Sequence, residues 1–443
     1  MTGHRSHLVP LLGVLLLALA VRIPVAAWRM DSLQDDRDHY RLLAQGLVQT
    51  GALTHPDHGT PTAYRPPLYP LVLAAVGWTG AGDIGMAGLH LLLGLATVAL
   101  TLVIGLQLGL SRRAWWPAAG VAVDPLLVVG ATLPMTETLF AALAMGLLAV
   151  ATSPSPSPPS NSRRLLLGIL LGLAALCRPS VWAFAALWAA VVICRHCRKP
   201  QGADRSSRPQ ALATALATTL AGVALCIGPW LGRNLVVSGA PVLTSTHGGY
   251  TLLLGNNPEF YDQVVRRPLG TTWNDTTSDP GHRPGEWRES LEARLPTPPR
   301  GINSERQRDR FMYRLALSHA ADDPGGFARA CLLRVLRFWT PWPLESAPGS
   351  AWPRTLKWAV AAWYTTVLLA MLVGLWRAPW TVHPGWQTPL LFLLALSLVH
   401  VVFWSTMRMR APVMPVVFLL GTVGVCGKPA PRAESETDTA EAY

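Results

Sequence analysis

Four aspartates crowd the stretch Asp31-Ser32-Leu33-Gln34-Asp35-Asp36-Arg37-Asp38-His39-Tyr40 in a chain of 443 residues that is otherwise largely apolar. An amphipathic run reaches Val48, and Tyr64-Arg65-Pro66-Pro67-Leu68-Tyr69-Pro70 follows. Carboxylates held against a bilayer are costly unless they are paired or take part in chemistry. A solvated polar loop is the plain alternative.

Further polar clusters recur at the ends of apolar runs. They are Thr136-Glu137, Arg178-Pro179, Arg233-Asn234, Gly255-Asn256-Asn257-Pro258 and Arg408-Met409-Arg410. Carboxylates and arginines at one bilayer depth suit cleavage of a lipid phosphate beside an activated nucleophile. Arginine binds phosphate bidentately and keeps its charge when partly buried. A phosphate leaving group needs charge stabilisation rather than an acid, so one carboxylate suffices as base for an incoming acceptor. A second carboxylate could hold a divalent cation through hard oxygen ligands.

Each residue also has a plainer reading. Arg178 or Arg233 alone could snorkel to the interface. Glu137 could complement a helix dipole, and Asp36 could cap the helix that follows it. Asn256-Asn257-Pro258 reads equally well as a turn. His247-Gly248-Gly249 is a weak candidate for a backbone anion nest.

The elements that must position these residues are apolar helices. Half of the residues are hydrophobic and 14% are charged, below the usual quarter. Mean hydropathy is +0.30, and apolar runs of about 20 residues recur, as in a polytopic membrane protein. The formal charge of +12 comes from Lys and Arg scattered between these runs. No aromatic-basic interleaving points to nucleic acid. The six Cys form no disulfide framework, and Cys194-Arg195-His196-Cys197 lacks further zinc ligands.

The expected fold is an all-α polytopic membrane protein of about ten transmembrane helices. The spans expected are residues 8–28, 84–108, 114–133, 138–151, 165–177, 181–194, 211–231, 356–376, 389–404 and 412–426. A cleaved signal peptide ending at Val25-Ala26-Ala27 is the lesser reading of the first. The runs Tyr40–Val48 and Leu68–Trp78 are expected as interfacial helices. Arg112, Arg113, Arg163, Arg164 and the basic loop from Arg195 to Arg208 then lie on the cytoplasmic side. The polar clusters all fall on the opposite, outer side. Residues 1–231 form a membrane core with an acidic first outer loop at 29–83. Residues 232–355 form an outer soluble loop domain, 356–427 the last transmembrane helices, and 428–443 a disordered cytoplasmic tail.

In motif order the chain resembles the glycosyltransferase C superfamily. It is most similar to bacterial members of the dolichyl-phosphate-mannose protein mannosyltransferase family and to the lipid A aminoarabinose transferases. The residues carrying this are Asp36 four before Tyr40, then Tyr64 to Pro70, and Thr136-Glu137-Thr138-Leu139-Phe140. Cys177-Arg178-Pro179, Pro229-Trp230 with Arg233-Asn234, Gly255 to Pro258, and His400 before Arg408 to Pro412 complete the order. Each motif is short, and their sequence along the chain is the specific part.

The resemblance implies a polyprenyl-phosphate sugar donor, an active site on the outer face of the plasma (inner) membrane and an inverting single displacement. It also implies that Asp36 is the catalytic base, a role that Asp35 or Asp38 could take instead after a small shift of register; Asp35, Asp38 and Glu137 could otherwise assist or hold a metal. Arg65, Arg178, Arg233, Arg408 and Arg410 are the expected phosphate-binding residues. Tyr40, Tyr64, Asn234, Asn256 and Asn257 are the expected substrate contacts. The acceptor is left open among protein, lipid and glycan. A transporter or flippase of lipid-linked sugars is the alternative, and it calls for mid-bilayer charges and broken helices.

Overall fold

The computed structural model describes residues 5–55, 59–154, 159–197, 208–271, 304–343, 353–378 and 384–427. Among these residues helices dominate and no strand forms, apart from one isolated bridge between Thr54 and Pro61. Five segments are long and apolar enough to cross a membrane: Val9–Trp28, Gly82–Gln107, Pro209–Ser238, Arg354–Arg377 and Met407–Cys426. Thr136–Thr152, Val181–Arg195 and Gln387–Val402 are apolar but shorter.

The N-terminal half contains α1 (Arg5–Trp28), α2 (Tyr40–Thr50), α3 (Leu68–Trp78), α4 (Gly82–Gln107), α5 (Trp115–Val123), α6 (Pro125–Gly130) and α7 (Thr136–Thr152). After them come α8 (Asn161–Cys177), α9 (Val181–Cys197), α10 (Arg208–Ser238), α11 (Gly248–Gly255) and α12 (Pro258–Phe260). The last five are α13 (Glu305–Asp322), α14 (Pro324–Trp339), α15 (Arg354–Arg377), α16 (Gln387–Val402) and α17 (Met414–Cys426).

Helix α3 has 11 residues, which at 1.5 Å each span about half of a ~30 Å hydrocarbon core. It packs on α2, and neither crosses. Close packing among the long helices follows from glycine. A Cβ at Gly168 or Gly222 would collide with the facing backbone between α8 and α10. Gly374 and Gly424 do the same between α15 and α17.

Two expectations need correction. The segment 114–133 is not one helix, because Asp124-Pro125 breaks it into α5 and α6. Helix α10 continues to Ser238, so the boundary drawn at residue 231 falls inside a helix and Arg233 and Asn234 are helical. The described parts of 232–355 are helical and seated on the bundle. Arg334 of α14 donates to Val401 O at 2.7 Å and to the Gly255 carbonyl. The tail 428–443 and much of the loop before α13 lie outside the described residues.

Candidate active site

The acidic stretch folds as one 3-10 turn, Met30–Gln34, and a tight reversal ending at His39 in the left-handed region, φ 61°. This reversal turns successive carboxylates in different directions. Asp35 pairs with Arg37 at 2.7 Å on the surface. Asp36 Oδ2 accepts the Leu42 N–H at 2.9 Å and so caps α2. Its Oδ1 is buried and has no hydrogen-bond partner. Asp38 Oδ1 is 3.0 Å from Arg65 Nη2, and its carbonyl accepts from Arg65 Nε at 3.1 Å.

Arg65 is held from both sides, 5.4 Å above the Tyr40 ring and 4.8 Å above the Tyr64 ring. The prolines after it fix the chain direction into α3. Arg178 owes its position to the same rule. As the residue before Pro179 it is extended (φ −145°, ψ 113°), ending α8 and freeing its side chain.

Glu137, in the first turn of α7 and only 4% exposed, lies between two arginines. Arg408 Nε is 3.2 Å and Arg178 Nη1 3.4 Å from its Oε1. Arg408 Nη2 also reaches to 3.9 Å of Asp38 Oδ2. Arg178 donates to the Met409 sulfur at 3.0 Å and Arg408 to the Met135 sulfur. Five charged side chains from four separate segments thus converge. Three guanidiniums face two carboxylates.

Burial raises the Asp38 carboxyl, but Arg65, Arg408, His247 and Arg178 together hold it below its ordinary value. His247 was weighed only for a backbone nest. Its ring instead packs at 4.5 Å from Tyr64 and 5.0 Å from Tyr250. Burial, then the Arg65 charge, push it well below an ordinary histidine. The nest itself is closed, because Asp309 Oδ1 accepts the Gly249 N–H at 2.6 Å. The buried Tyr69 phenol feels the charges of both Glu137 and Asp36.

Other expected site residues do not join the cluster. Arg233 donates to Thr62 O at 2.8 Å and Leu53 O at 3.2 Å, fixing the turn that precedes Tyr64. Asn234 holds Val242 O at 2.9 Å. Asn256 Nδ2 ties Leu252 O at 2.8 Å to Val402 O at 3.0 Å, and Asn257 caps α12 through Phe260 N at 2.8 Å. Arg410 is fully buried and donates to Phe338 O at 3.1 Å and Thr340 O at 3.0 Å. These five hold backbone carbonyls or turns.

Sequence reasoning missed Glu305. Its carboxylate accepts from Thr62 Oγ1, from Ala63 N at 3.0 Å and from Thr246 Oγ1 at 3.0 Å. It clips α13 over the Arg65 segment, and no local signal marks it. Asp124 was also missed, although Asp-Pro inside an apolar run is a helix-start signal. Among the described residues no three His, Cys, Asp or Glu side chains converge to hold a cation. Asp38 and Glu137 both face guanidiniums, so this donor set does not fit a resident divalent ion.

No protein-family model and no curated protein sequence matches the chain. Among solved structures, it is similar to the archaeal oligosaccharyltransferase AglB from Archaeoglobus fulgidus, in complex with an inhibitory peptide and a dolichol-phosphate. There the TM-score is 0.49 at 15% identity, over 95% of this chain and 50% of that one. It is also similar to ArnT from Cupriavidus metallidurans bound to undecaprenyl phosphate, with TM-score 0.41 and 15% identity, over 93% of this chain and 77% of that one. The chain spans about half the length of the archaeal enzyme. At such scores the likeness lies in the course of the helices and assigns no residue a role.

Proposed function

We propose that the chain is a membrane glycosyltransferase that moves a sugar from a polyprenyl-phosphate donor to a hydroxyl or amide acceptor on the outer face of the plasma membrane. The observation that carries this is the cluster of Arg65, Arg178 and Arg408 with Asp38 and Glu137. A polyprenyl-phosphate sugar is a phosphodiester with one negative charge, which guanidiniums bind through paired hydrogen bonds. The outer location rests on the asymmetry of Lys and Arg between loops.

The reaction is a single displacement with inversion. The acceptor oxygen or nitrogen attacks the anomeric carbon as the bond from that carbon to phosphate oxygen breaks. Polyprenyl phosphate leaves as a monoester and gains a second negative charge. Arg178 and Arg408 meet that developing charge, which a preorganised guanidinium does without reorganising. The acceptor proton passes to Asp36 Oδ1. The capping bond on Oδ2 orients this carboxylate, and Oδ1 is left free. Asp35 and Asp38 are less suited, since each faces an arginine.

The transporter reading gains one observation, the broken helix at Asp124 with Arg22 buried beside it. Arg22 however donates to Val121 O at 2.9 Å and Leu127 O at 3.2 Å, carbonyls at the break itself. Both of its Nη groups are thus taken up by backbone carbonyls of the break. A lipid comparison of cells with and without the gene tests the proposal. Loss of the gene should raise one polyprenyl-phosphate sugar, and an unchanged lipid profile counts against it.

A further inference from the structure

The break between α5 and α6 lies deep in the bundle, and three side chains from other places meet there. Pro125 has no N–H to give Val121 O, and Arg22 Nη2 takes that place at 2.9 Å. Leu126 N donates to Tyr364 Oη at 2.9 Å and Leu127 N to Asp124 Oδ1 at 3.0 Å. The backbone needs only one oxygen of Asp124. The other, Oδ2, is buried outside strict hydrogen-bond geometry, with the Tyr364 hydroxyl, the Trp363 indole and the Arg410 charge around the carboxylate. A cap alone would be met as well by Asn or Ser, without burying a charge.

Two opposite charges lie nearby, Arg22, whose Nη groups are taken up by backbone carbonyls at the break, and Arg410. Asp124 and Arg410 are both 0% exposed, and each feels the other's charge. Arg410 lies 4.7 Å above the Tyr364 ring, the same tyrosine that meets the break. Its Nη1 grips the end of α14, while Nε and Nη2 are buried without partners. Arg410 sits in the 3-10 turn Met407–Val413, two residues after Arg408. Glu137 follows α6 by a short turn. The broken helix therefore touches both sides of the phosphate cluster, one through the chain and one through charge.

We infer that Asp124 is a positioning residue: through Arg410 it holds the Met407–Val413 turn, and with it Arg408, in the register that grips the donor phosphate. This rests on the proposed lipid-phosphate chemistry for its functional half only. A buried carboxylate that merely capped α6 would have no effect on donor use once the cap was kept. One that sets Arg408 changes donor affinity even when the cap is intact.

Two double-mutant cycles on detergent-purified full-length protein test the two links. The first measures thermal midpoints of Asp124→Asn, Arg410→Lys and the pair. Asn keeps the capping oxygen and Lys keeps the charge, so folded protein is expected from each. Coupling is expected, with the double variant less destabilised than the two single effects combined, and additive shifts overturn the link to Arg410. The second measures KM and kcat for a polyprenyl-phosphate sugar in Asp124→Asn, Arg408→Lys and the pair. Asp124→Asn should raise KM about tenfold with a smaller change in kcat, and should add nothing in the Arg408→Lys background. A KM unchanged by Asp124→Asn, or a full tenfold rise retained in that background, overturns the inference. If the wild type itself transfers nothing, the function proposal fails, and the thermal cycle alone decides the Asp124–Arg410 link.

Discussion

Replacing Arg408 by lysine keeps the charge and removes the fork. In the native protein Nε faces Glu137 at 3.2 Å while Nη2 extends toward Asp38 at 3.9 Å, so one guanidinium bridges two carboxylates. A single ammonium nitrogen cannot meet Glu137, Asp38 and a phosphate oxygen together. The loss is about one charge-assisted hydrogen bond, roughly 1.5–3 kcal/mol. At about 1.4 kcal/mol per tenfold that is on the order of ten- to a hundredfold in kcat/KM. Arg408→Gln also removes a positive charge beside the phosphate, and its loss should be larger. The assay is transfer from a radiolabelled polyprenyl-phosphate sugar at varied donor concentration, beside equilibrium binding of polyprenyl phosphate. Lys and Gln variants with native donor affinity and turnover would refute the phosphate-grip argument and return Arg408 to a topology charge.

Asp36→Asn should lower transfer on the order of a hundredfold or more while leaving stability nearly intact, since the amide oxygen still caps Leu42 N. Asp35→Asn should be silent, and normal turnover in Asp36→Asn beside a dead Asp38→Asn would move the base to Asp38. Arg233→Lys should cost stability by about 1–2 kcal/mol through its carbonyl bonds to Thr62 and Leu53, with donor KM unchanged. A raised donor KM there would restore Arg233 to phosphate binding. His247 has a folded-state pKa well below the ordinary 6.5, under burial and the Arg65 charge, with Asp38 opposing and His39 adding. Its contribution to stability is therefore full above pH 6.5 and declines as pH falls below it, because the unfolded chain takes up the proton first. Thermal midpoints of His247→Gln should fall less steeply between pH 6.5 and 5 than those of the wild type, and parallel curves would contradict this.

The apolar runs made the helices legible, since a run of about 20 apolar residues has few other homes. The polar residues that meet at the site were also visible, because Glu137, Arg178 and Arg408 stand out at the ends of such runs. What the sequence could not reveal is which oxygen meets which nitrogen. Within Asp35-Asp36-Arg37-Asp38 that depends on the left-handed turn at His39 and on Arg65 arriving from 27 residues away. Arg233 looked like Arg178 for the same reason: both end apolar runs. Only the fold gives one a carboxylate and the other two carbonyls. Asp124-Pro125 was legible as a helix break and was passed over because hydropathy alone spans it.

The central claim is chemical transfer from a lipid phosphate, and micelles separate this from transport because they have no compartments. Purified protein is incubated in detergent with a radiolabelled polyprenyl-phosphate sugar and a membrane extract as acceptor. The account predicts that free polyprenyl phosphate appears in step with loss of the lipid-linked sugar, and that Asp36→Asn abolishes it. An intact donor in micelles, with the same protein moving it across liposome bilayers, would contradict the account.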